Sequence, residues 1–361
     1  MSGALPPDIF KNDQLRQRDF SLFTLHFSLF TDRESHRVGR VTARYPPKNK
    51  KKQYCFTKTN QAMKKYPESE LIINNDGSCF HLHLKPEFLA DKVILVGDPE
   101  RVSRVGYYLD KIEHETGNRE FRTITGTYKG KRITIQSTGI GCDNIDIVVN
   151  ELDALANIDF ETRTDKPEHR TLTIVRIGTC GGLQPETPLG TFIASARSIG
   201  FDGLLNYYAD RDKTCDVALE EAFIKHMNWS PKKGAPYVAC ADKELTDRIA
   251  GDDMVKGITC ACGGFYGPQG RRLRLEIQDP DQNQKIEAFR YNVPEGEDYG
   301  GSTLKINNFE MESSALAGLA GLLGHKATTC CIVIANRHDK EMNTTYKSNI
   351  NDLIQLVLER I

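Results

Sequence analysis

Two segments of this 361-residue chain place an arginine beside glycines at the end of an apolar run. The first follows residues 93–96 and reads Gly-Asp-Pro-Glu-Arg-Val over residues 97–102. Gly97 would let the backbone approach an anion closely, and Arg101 would project from the first turn of a helix that begins near Pro99. An ordinary tight turn between a strand and a helix fits the same residues, so this segment alone leaves both interpretations open.

The second segment contains Arg176 within the apolar run 171–177, followed by Gly-Thr-Cys-Gly-Gly over residues 178–182. An arginine inside a buried strand needs a counter-ion. A carboxylate from elsewhere in the chain would satisfy this need. A bound anion would satisfy it too, since the Thr179 hydroxyl and the N–H groups of a glycine turn could bind the same anion.

Two further segments offer groups for a sugar and for a planar ring. Glu310 and Glu312 precede a helix rich in Ala, Gly and Leu, where carboxylates are common partners of the helix dipole but could also accept hydrogen bonds from vicinal hydroxyls. The loop over residues 263–271 combines Phe265, Gln269 and Arg271, which could stack on a heterocycle and bond to it, or could form an aromatic plug. Together, the four segments match the parts of a nucleoside and a phosphate.

The motifs of several common cofactors are absent from the sequence. The chain contains neither GxGxxG nor GxxxxGK[ST], which disfavours NAD and ATP as ligands. Its ten cysteines form no CxxC pair and have no histidine pair at ligand spacing, so a structural zinc site is not expected.

The predicted strands and helices indicate which fold would bring these segments together. From about residue 69, short apolar runs rich in β-branched residues (93–96, 132–137, 171–177, 191–196 and 330–335) alternate with helical patterns (143–155 and 312–323). This alternation predicts an α/β fold with a parallel or mixed sheet. In such folds ligands bind beyond the carboxyl ends of the strands, where the arginine segments lie. The charged stretches 161–170 and 276–301 are predicted to be surface loops inserted between core elements.

The first sixth of the chain differs in composition from the rest. Residues 1–62 carry 12 Lys and Arg against 5 Asp and Glu, and little apolar periodicity, which predicts a flexible basic extension before a catalytic domain over residues 63–361. Because the remainder is acidic, nucleic acid is not an expected partner.

The sequence also bears on the cellular location of the protein. No apolar run reaches the roughly 18–20 residues that cross a bilayer, so no membrane partner is expected. The apolar patch near residues 20–30 has neither the basic residues before it nor the cleavage site after it that a secretory signal requires. The scattered cysteines are typical of reduced thiols and predict a cytoplasmic location.

From about His81 to its end, the chain resembles the nucleoside phosphorylase superfamily, and within it the uridine phosphorylases. Six motifs occur in the family's order: residues 97–102, 118–121, 137–141, 176–179, 265–271 and 309–313. The resemblance implies a three-layer α/β sandwich around a central mixed β-sheet. It also implies a homo-oligomer, a dimer or hexamer with shared active sites, which uses inorganic phosphate as co-substrate and needs no cofactor.

The resemblance implies roles for individual residues. Phosphate would be bound by Gly97, Arg101, Arg119, Arg176 and Thr179, with Arg119 entering the neighbouring subunit's site. Ribose would be bound by His81, Glu310, Met311 and Glu312, with His81 reaching across the dimer. The base would be bound by Phe265, Gln269, Arg271, Ile334 and Arg337. Arg101, Arg176, Gln269 and Arg271 would carry the catalysis.

At three places the chain differs from some members of the family. Gly267 and Pro268 stand in the reverse of the usual order. The end of the run 330–335 lacks the aspartate of purine-specific relatives, although Asp339 lies slightly beyond it. Glu120 matches a carboxylate that binds a monovalent cation in some members, whereas Asn144 replaces the matching hydroxyl residue.

The expected reaction is phosphorolysis of uridine, with deoxyuridine and thymidine as further substrates, in pyrimidine nucleoside salvage. The alternatives are a purine nucleoside phosphorylase, a hydrolytic nucleosidase of the same superfamily and a non-catalytic nucleoside-binding protein.

Overall fold

The computed structural model describes residues 64–338, 340–342 and 349–361. The predicted basic extension over residues 1–62 and Asp339 lie outside the described residues.

The described strands include every apolar run that the sequence indicated. They are β1 (Lys92–Val96), β2 (Lys111–Asn118), β3 (Phe121–Tyr128), β4 (Lys131–Ser137), β5 (Ile158–Asp159), β6 (Thr164–Asp165), β7 (Thr173–Gly182), β8 (Phe192–Gly200), β9 (Tyr237–Cys240), β10 (Val255–Ala261), β11 (Arg290–Asn292), β12 (Thr303–Glu310), β13 (Lys326–Asn336) and β14 (Glu341–Met342). β5 and β6 form a separate hairpin, and the other strands join one mixed sheet.

Part of this sheet closes on itself. β7 pairs with β13 in parallel and with β12 in antiparallel fashion. β13 pairs with β8, β8 with β10, and β10 with β12, so five strands form a ring. On the other side of β7, the sheet continues as an open layer in the order β1, β4, β3 and β2. β7 is therefore the strand that the ring and the open layer share.

Helices cover the sheet on both faces. They are α1 (Pro99–Gly106), α2 (Cys142–Asn157), α3 (Val217–Met227), α4 (Lys243–Ala250), α5 (Gln282–Ala288), α6 (Ser313–Leu322) and α7 (Asn349–Arg360). Alternate residues of β1 point to opposite faces. Val93 and Leu95 pack with α2 and α6, whereas Ile94 and Val96 pack with α1, α4 and α7. This arrangement confirms the predicted three-layer α/β fold around a mixed sheet.

The stretch 276–301 differs from the surface loop that its charge suggested. It contains α5 and β11, and β11 pairs with β12 at the edge of the sheet. Ile286 of α5 and the adjacent Phe289 are buried in a cluster with Phe223 and Phe309. The apolar residues between the charged ones therefore attach this segment to the core, which the net charge of the stretch concealed.

Within the described ranges, no helix has both the length and the apolar character needed to cross a bilayer.

Truncation of Ile286 tests whether the 276–301 segment belongs to the core. Ile286 is fully buried, so Ile286→Ala should lower the free energy of unfolding by about 2–4 kcal/mol through lost burial and a residual cavity. Chemical denaturation followed by fluorescence measures this change, and Glu295→Ala at an exposed position is the control, with an expected change below about 0.5 kcal/mol. Equal stability of the two variants would contradict the placement of α5.

Candidate active site

The turn after β1 begins α1 and places Arg101 against the middle of β7. Asp98 caps the helix, since its carboxylate accepts a hydrogen bond of 2.9 Å from the Glu100 N–H, and Pro99 occupies the first helical turn. Arg101 lies on the buried side of α1 and donates from Nη1 to the Ile177 carbonyl at 3.2 Å. A Cβ atom at Gly97 would lie 3.3 Å from the Gly139 carbonyl, so the turn packs closely against its neighbour.

The second glycine segment is a strand rather than a turn. β7 continues through Gly182, because β13 pairs with it as far as Gly182 and β12 pairs with Gly181 and Gly182. Gly178 instead gives Arg176 room, because a Cβ atom at Gly178 would lie 2.4 Å from Nη1 of that arginine. Of the two glycine turns predicted for the anion site, only the one at Gly97 is a turn. Thr179 lies in a strand.

Arg176 lies between two carboxylates in the core. Its Nη1 is 3.3 Å from Oε2 of Glu310, and its Nη2 donates to Oε2 of Glu312. All three side chains are at most 5% exposed. The carboxylate counter-ion that the sequence allowed is thus present, and a bound anion would have to share Arg176 with it.

These contacts shift the pKa values of the ion cluster. Burial opposes the charge of Arg176, but Glu312 and Glu310 outweigh that effect and raise the pKa of Arg176 above its ordinary value. Burial raises the pKa of Glu310, and Arg176 offsets only part of this shift. The two carboxylates together keep the guanidinium charged.

The two glutamates are held differently. Glu310 accepts hydrogen bonds from the N–H groups of Glu312 and Ser313 at 2.9–3.0 Å and from the Ser313 hydroxyl at 2.6 Å. It therefore anchors the start of α6. Glu312 uses Oε2 for Arg176, and its Oε1 accepts a bond of 2.7 Å from the Gly141 N–H. Of the two, Glu312 has the larger remaining capacity for further hydrogen bonds.

A cavity of about 920 Å³ connects these groups with the loop over residues 263–271. Most of the predicted site residues line it. These are Gly97, Arg101, Arg176, Thr179, Phe265, Gln269, Arg271, Glu310, Met311, Glu312 and Ile334. The lining thus combines arginines and a hydroxyl, two carboxylates beside Arg176, and an amide, a guanidinium and an aromatic ring on the loop.

The loop end of the cavity is internally ordered. The Arg271 guanidinium lies 3.6 Å from the centre of the Phe265 ring, and its Nη1 donates to Oε1 of Gln269 at 2.7 Å. Gln269 is buried although it lies on a loop. The reversed pair Gly267 and Pro268 forms a short 3₁₀ turn with Gln269.

Arg337 lies behind this loop end and does not line the cavity. Burial, followed by the neighbouring positive charge of Arg271, lowers the pKa of Arg337 to about 10. Among the described residues, its Nε and Nη2 have no hydrogen-bond partner. Because guanidinium groups only donate hydrogen bonds, Arg271 and Arg337 suit a ligand that presents oxygen acceptors.

His81 and Arg119 also lie outside the cavity, and Asn118 links their two segments. The His81 Nδ1 is 2.6 Å from Oε1 of Glu151, and Asn118 donates to the His81 carbonyl at 3.0 Å. Arg119 follows in the exposed turn between β2 and β3 with a φ of 55°. The resemblance assigned both residues to a neighbouring subunit's site, and within the single chain neither reaches its own cavity.

The structure adds residues to which sequence reasoning gave no role. Gly141 supplies the N–H that holds Glu312, and its φ of 101° requires glycine. Gly141 is the last residue of the motif at 137–141, so the motif could have indicated that this glycine belongs to the site. Ile140 and Met342 also line the cavity, although both are largely exposed. Nothing in the sequence indicated Met342.

Glu120 and Asn144 lie together against Gly139 at the edge of the cavity. They offer one carboxylate and one amide, so a cation there would need further oxygen ligands from backbone or from another subunit. A cation near Glu120 stays a prediction.

Comparison with known proteins gives consistent matches. A sequence profile of the phosphorylase superfamily matches residues 91–361. The uridine phosphorylase of Thermococcus kodakarensis is 29% identical over 285 residues, covering 77% of this chain and 85% of that protein. The uridine phosphorylase of Escherichia coli is 27% identical over 290 residues, covering 78% and 95%. A solved Trypanosoma brucei nucleoside phosphorylase, described as showing uridine phosphorylase activity, aligns with a TM-score of 0.70 at 29% identity over 80% of this chain and 98% of that one.

Removal of Glu310 should weaken the fold itself. Glu310→Ala deletes a buried partner of Arg176 and leaves the Ser313 N–H unpaired, so the free energy of unfolding should fall by about 2–4 kcal/mol. Chemical denaturation measures the change, and Glu161→Ala at an exposed position is the control. Unchanged stability would show that the carboxylate contributes little to anchoring α6.

Proposed function

The chain belongs to the phosphorylase superfamily, and we propose that it cleaves the N-glycosidic bond of uridine with inorganic phosphate to give uracil and ribose 1-phosphate. One observation carries this proposal: groups suited to an anion, to a diol and to a pyrimidine face a single cavity of about 920 Å³. The relatives named uridine phosphorylase support the choice of base.

Phosphate is bound at the end of the cavity where α1 begins. Gly97, Arg101, Arg176 and Thr179 all line the cavity, which supports this assignment. The guanidinium groups keep phosphate ionised, and the Thr179 hydroxyl orients one of its oxygens. Arg119 of a neighbouring subunit completes this site. A hydrolytic nucleosidase would have no use for such an anion site, which favours phosphate over water as the nucleophile.

Ribose lies across the middle of the cavity. Glu312 accepts hydrogen bonds from its vicinal hydroxyls while Gly141 and Arg176 hold the carboxylate in place. Met311 packs against the sugar ring. Glu310 acts through its anchoring of α6 and is the weaker ribose contact. His81 of the neighbouring subunit binds the far side of the sugar.

Uracil lies at the loop end, where Gln269 and Arg271 bond to its edge and Phe265 and Ile334 flank it. Arg337 adds positive charge from behind. Uracil is a poor leaving group unless its developing negative charge is stabilised, and fixed donors in a buried site supply that stabilisation. The arrangement therefore needs no strong general acid.

The reaction exchanges one bond at the sugar for another. As the bond between C1′ and the base nitrogen lengthens, its electron pair moves to uracil and the ribose gains oxocarbenium character. Phosphate held by Arg101 and Arg176 lies where it stabilises that cation, and one of its oxygens then forms the new bond to C1′. The proton that hydrogen phosphate loses on becoming the ribose 1-phosphate dianion is taken up, through solvent, by the uracil anion.

We also propose a homo-oligomeric, cytoplasmic enzyme. The placement of His81 and Arg119 outside their own cavity supports shared active sites. The cysteines of the described part of the chain are free thiols, which fits a reducing compartment.

A phosphate-dependence assay tests the proposal. The protein is incubated with uridine, with and without phosphate, and base release is followed by absorbance. We expect uracil and ribose 1-phosphate only when phosphate is present. Phosphate-independent uracil release would indicate a nucleosidase, and hypoxanthine release from inosine alone would indicate a purine enzyme. Absence of turnover with all nucleosides would favour a non-catalytic binding protein.

Thr179→Val tests the phosphate end separately. Valine keeps the shape of the side chain but removes its hydroxyl, so the KM for phosphate should rise about three- to tenfold while the KM for uridine changes little. Steady-state kinetics with each substrate varied in turn measure both constants. Thr171→Val, at the exposed position before β7, is the matched control.

A further inference from the structure

We infer that α5 is a positioning element of the base site, and that Gln282 and Glu287 are its positioning residues. α5 lies in the charged stretch 276–301, to which neither the sequence motifs nor the proposed mechanism assigns a role. The inference rests on the proposed function, since it concerns the binding of the pyrimidine base.

The first contact joins α5 to the loop that carries Gln269 and Arg271. Gln282 is 5% exposed, and its Nε2 donates to the Pro268 carbonyl at 2.7 Å. Its Oε1 accepts a bond of 3.1 Å from Lys233, whose ammonium also lies 4.6 Å from the centre of the Trp229 ring. Both ends of the amide are therefore used, which fixes its orientation.

The neighbouring residue reinforces this contact. A Cβ atom at Gly270 would lie 2.4 Å from Oδ1 of Asn283, so the helix packs tightly against the residue between Gln269 and Arg271. Gly270 has a φ of 67°, a conformation that a glycine adopts without strain. Several other hydrogen bonds of the loop are internal, since the carbonyls of Tyr266 and Gly267 accept them from N–H groups of the same loop. The contact with α5 thus ties the loop to the core.

The second contact joins the other end of α5 to the turn that carries Arg337. Glu287 Oε1 lies 2.9 Å from Nδ1 of His338, the residue that follows Arg337. The Glu287 carbonyl accepts a bond of 3.1 Å from Gln184, whose own carbonyl accepts a bond from Asn336. One short helix thereby contacts both segments that bring positive charge to the base.

The core holds this helix firmly between its two contacts. Ile286 is fully buried, and the Phe289 ring lies 5.6 Å from that of Phe223 in an edge-to-face arrangement. A helix fixed by the core can transmit that fixed position to the base-binding groups, which would otherwise lie on a loop and at a strand end. Loss of its contacts should weaken nucleoside binding and leave the phosphate end unchanged.

Gln282→Leu tests this inference. Leucine is close in size but cannot donate to Pro268, so the KM for uridine should rise about three- to tenfold while the KM for phosphate stays constant. Lys285→Ala, which alters the same helix at a surface ion pair with Asp279, is the matched control and should change neither constant. Glu287→Gln, a milder change at the other end of α5, should raise the uridine KM in the same direction.

A double-mutant cycle separates positioning from general loss of structure. If Gln282 acts through the loop, then Gln282→Leu should change kcat/KM for uridine little in an Arg271→Ala background. Three results would overturn the inference. The Gln282→Leu and Arg271→Ala effects on kcat/KM could simply multiply in the double mutant. The KM values for uridine and phosphate could rise equally, or the uridine KM could stay unchanged in both the Gln282 and Glu287 variants. If the wild-type protein fails to release uracil with phosphate, the proposed function fails. If the wild-type protein releases uracil with phosphate but the variants do not show the expected rise in the uridine KM, only this inference fails.

Discussion

The site depends on one buried ion cluster, in which Arg176 of β7 lies between Glu310 and Glu312. Three charges in the core are stable only when each finds its partners, because an unpaired buried charge costs several kcal/mol. This constraint fixes the end of β12 and the start of α6 against β7. In the proposed reaction the same guanidinium and carboxylate that stabilise the fold would also bind phosphate and ribose.

The closed ring of strands makes that cluster possible. β7 belongs both to the ring and to the open layer, and the ends of β7 and β12 pair at Gly181 and Phe309. Through β1 the open layer supplies the Gly97 turn, and through β12 the ring supplies the carboxylates. The Gly97 turn and the two carboxylates therefore come together where two different parts of the sheet meet.

Several features followed from the sequence because their causes are local. Apolar runs of β-branched residues predicted the strands, and Pro99 marked the start of α1. Other features depended on pairing between distant segments. The glycines after Arg176 suggested a turn, yet β12 and β13 pair with them and extend β7. The charge of residues 276–301 suggested a loop, yet Ile286 and Phe289 bury one face of that segment.

The sequence by itself determined the α/β class, the order of the motifs and the kinds of ligand group present, because residue type and spacing encode these directly. Only the tertiary structure decided which groups share a cavity and which are already paired with other residues of the chain. It paired Arg176 with two carboxylates, assigned Glu310 to α6, and left His81 and Arg119 outside. Such outcomes depend on contacts between residues up to 171 positions apart, for which no local pattern provides a rule.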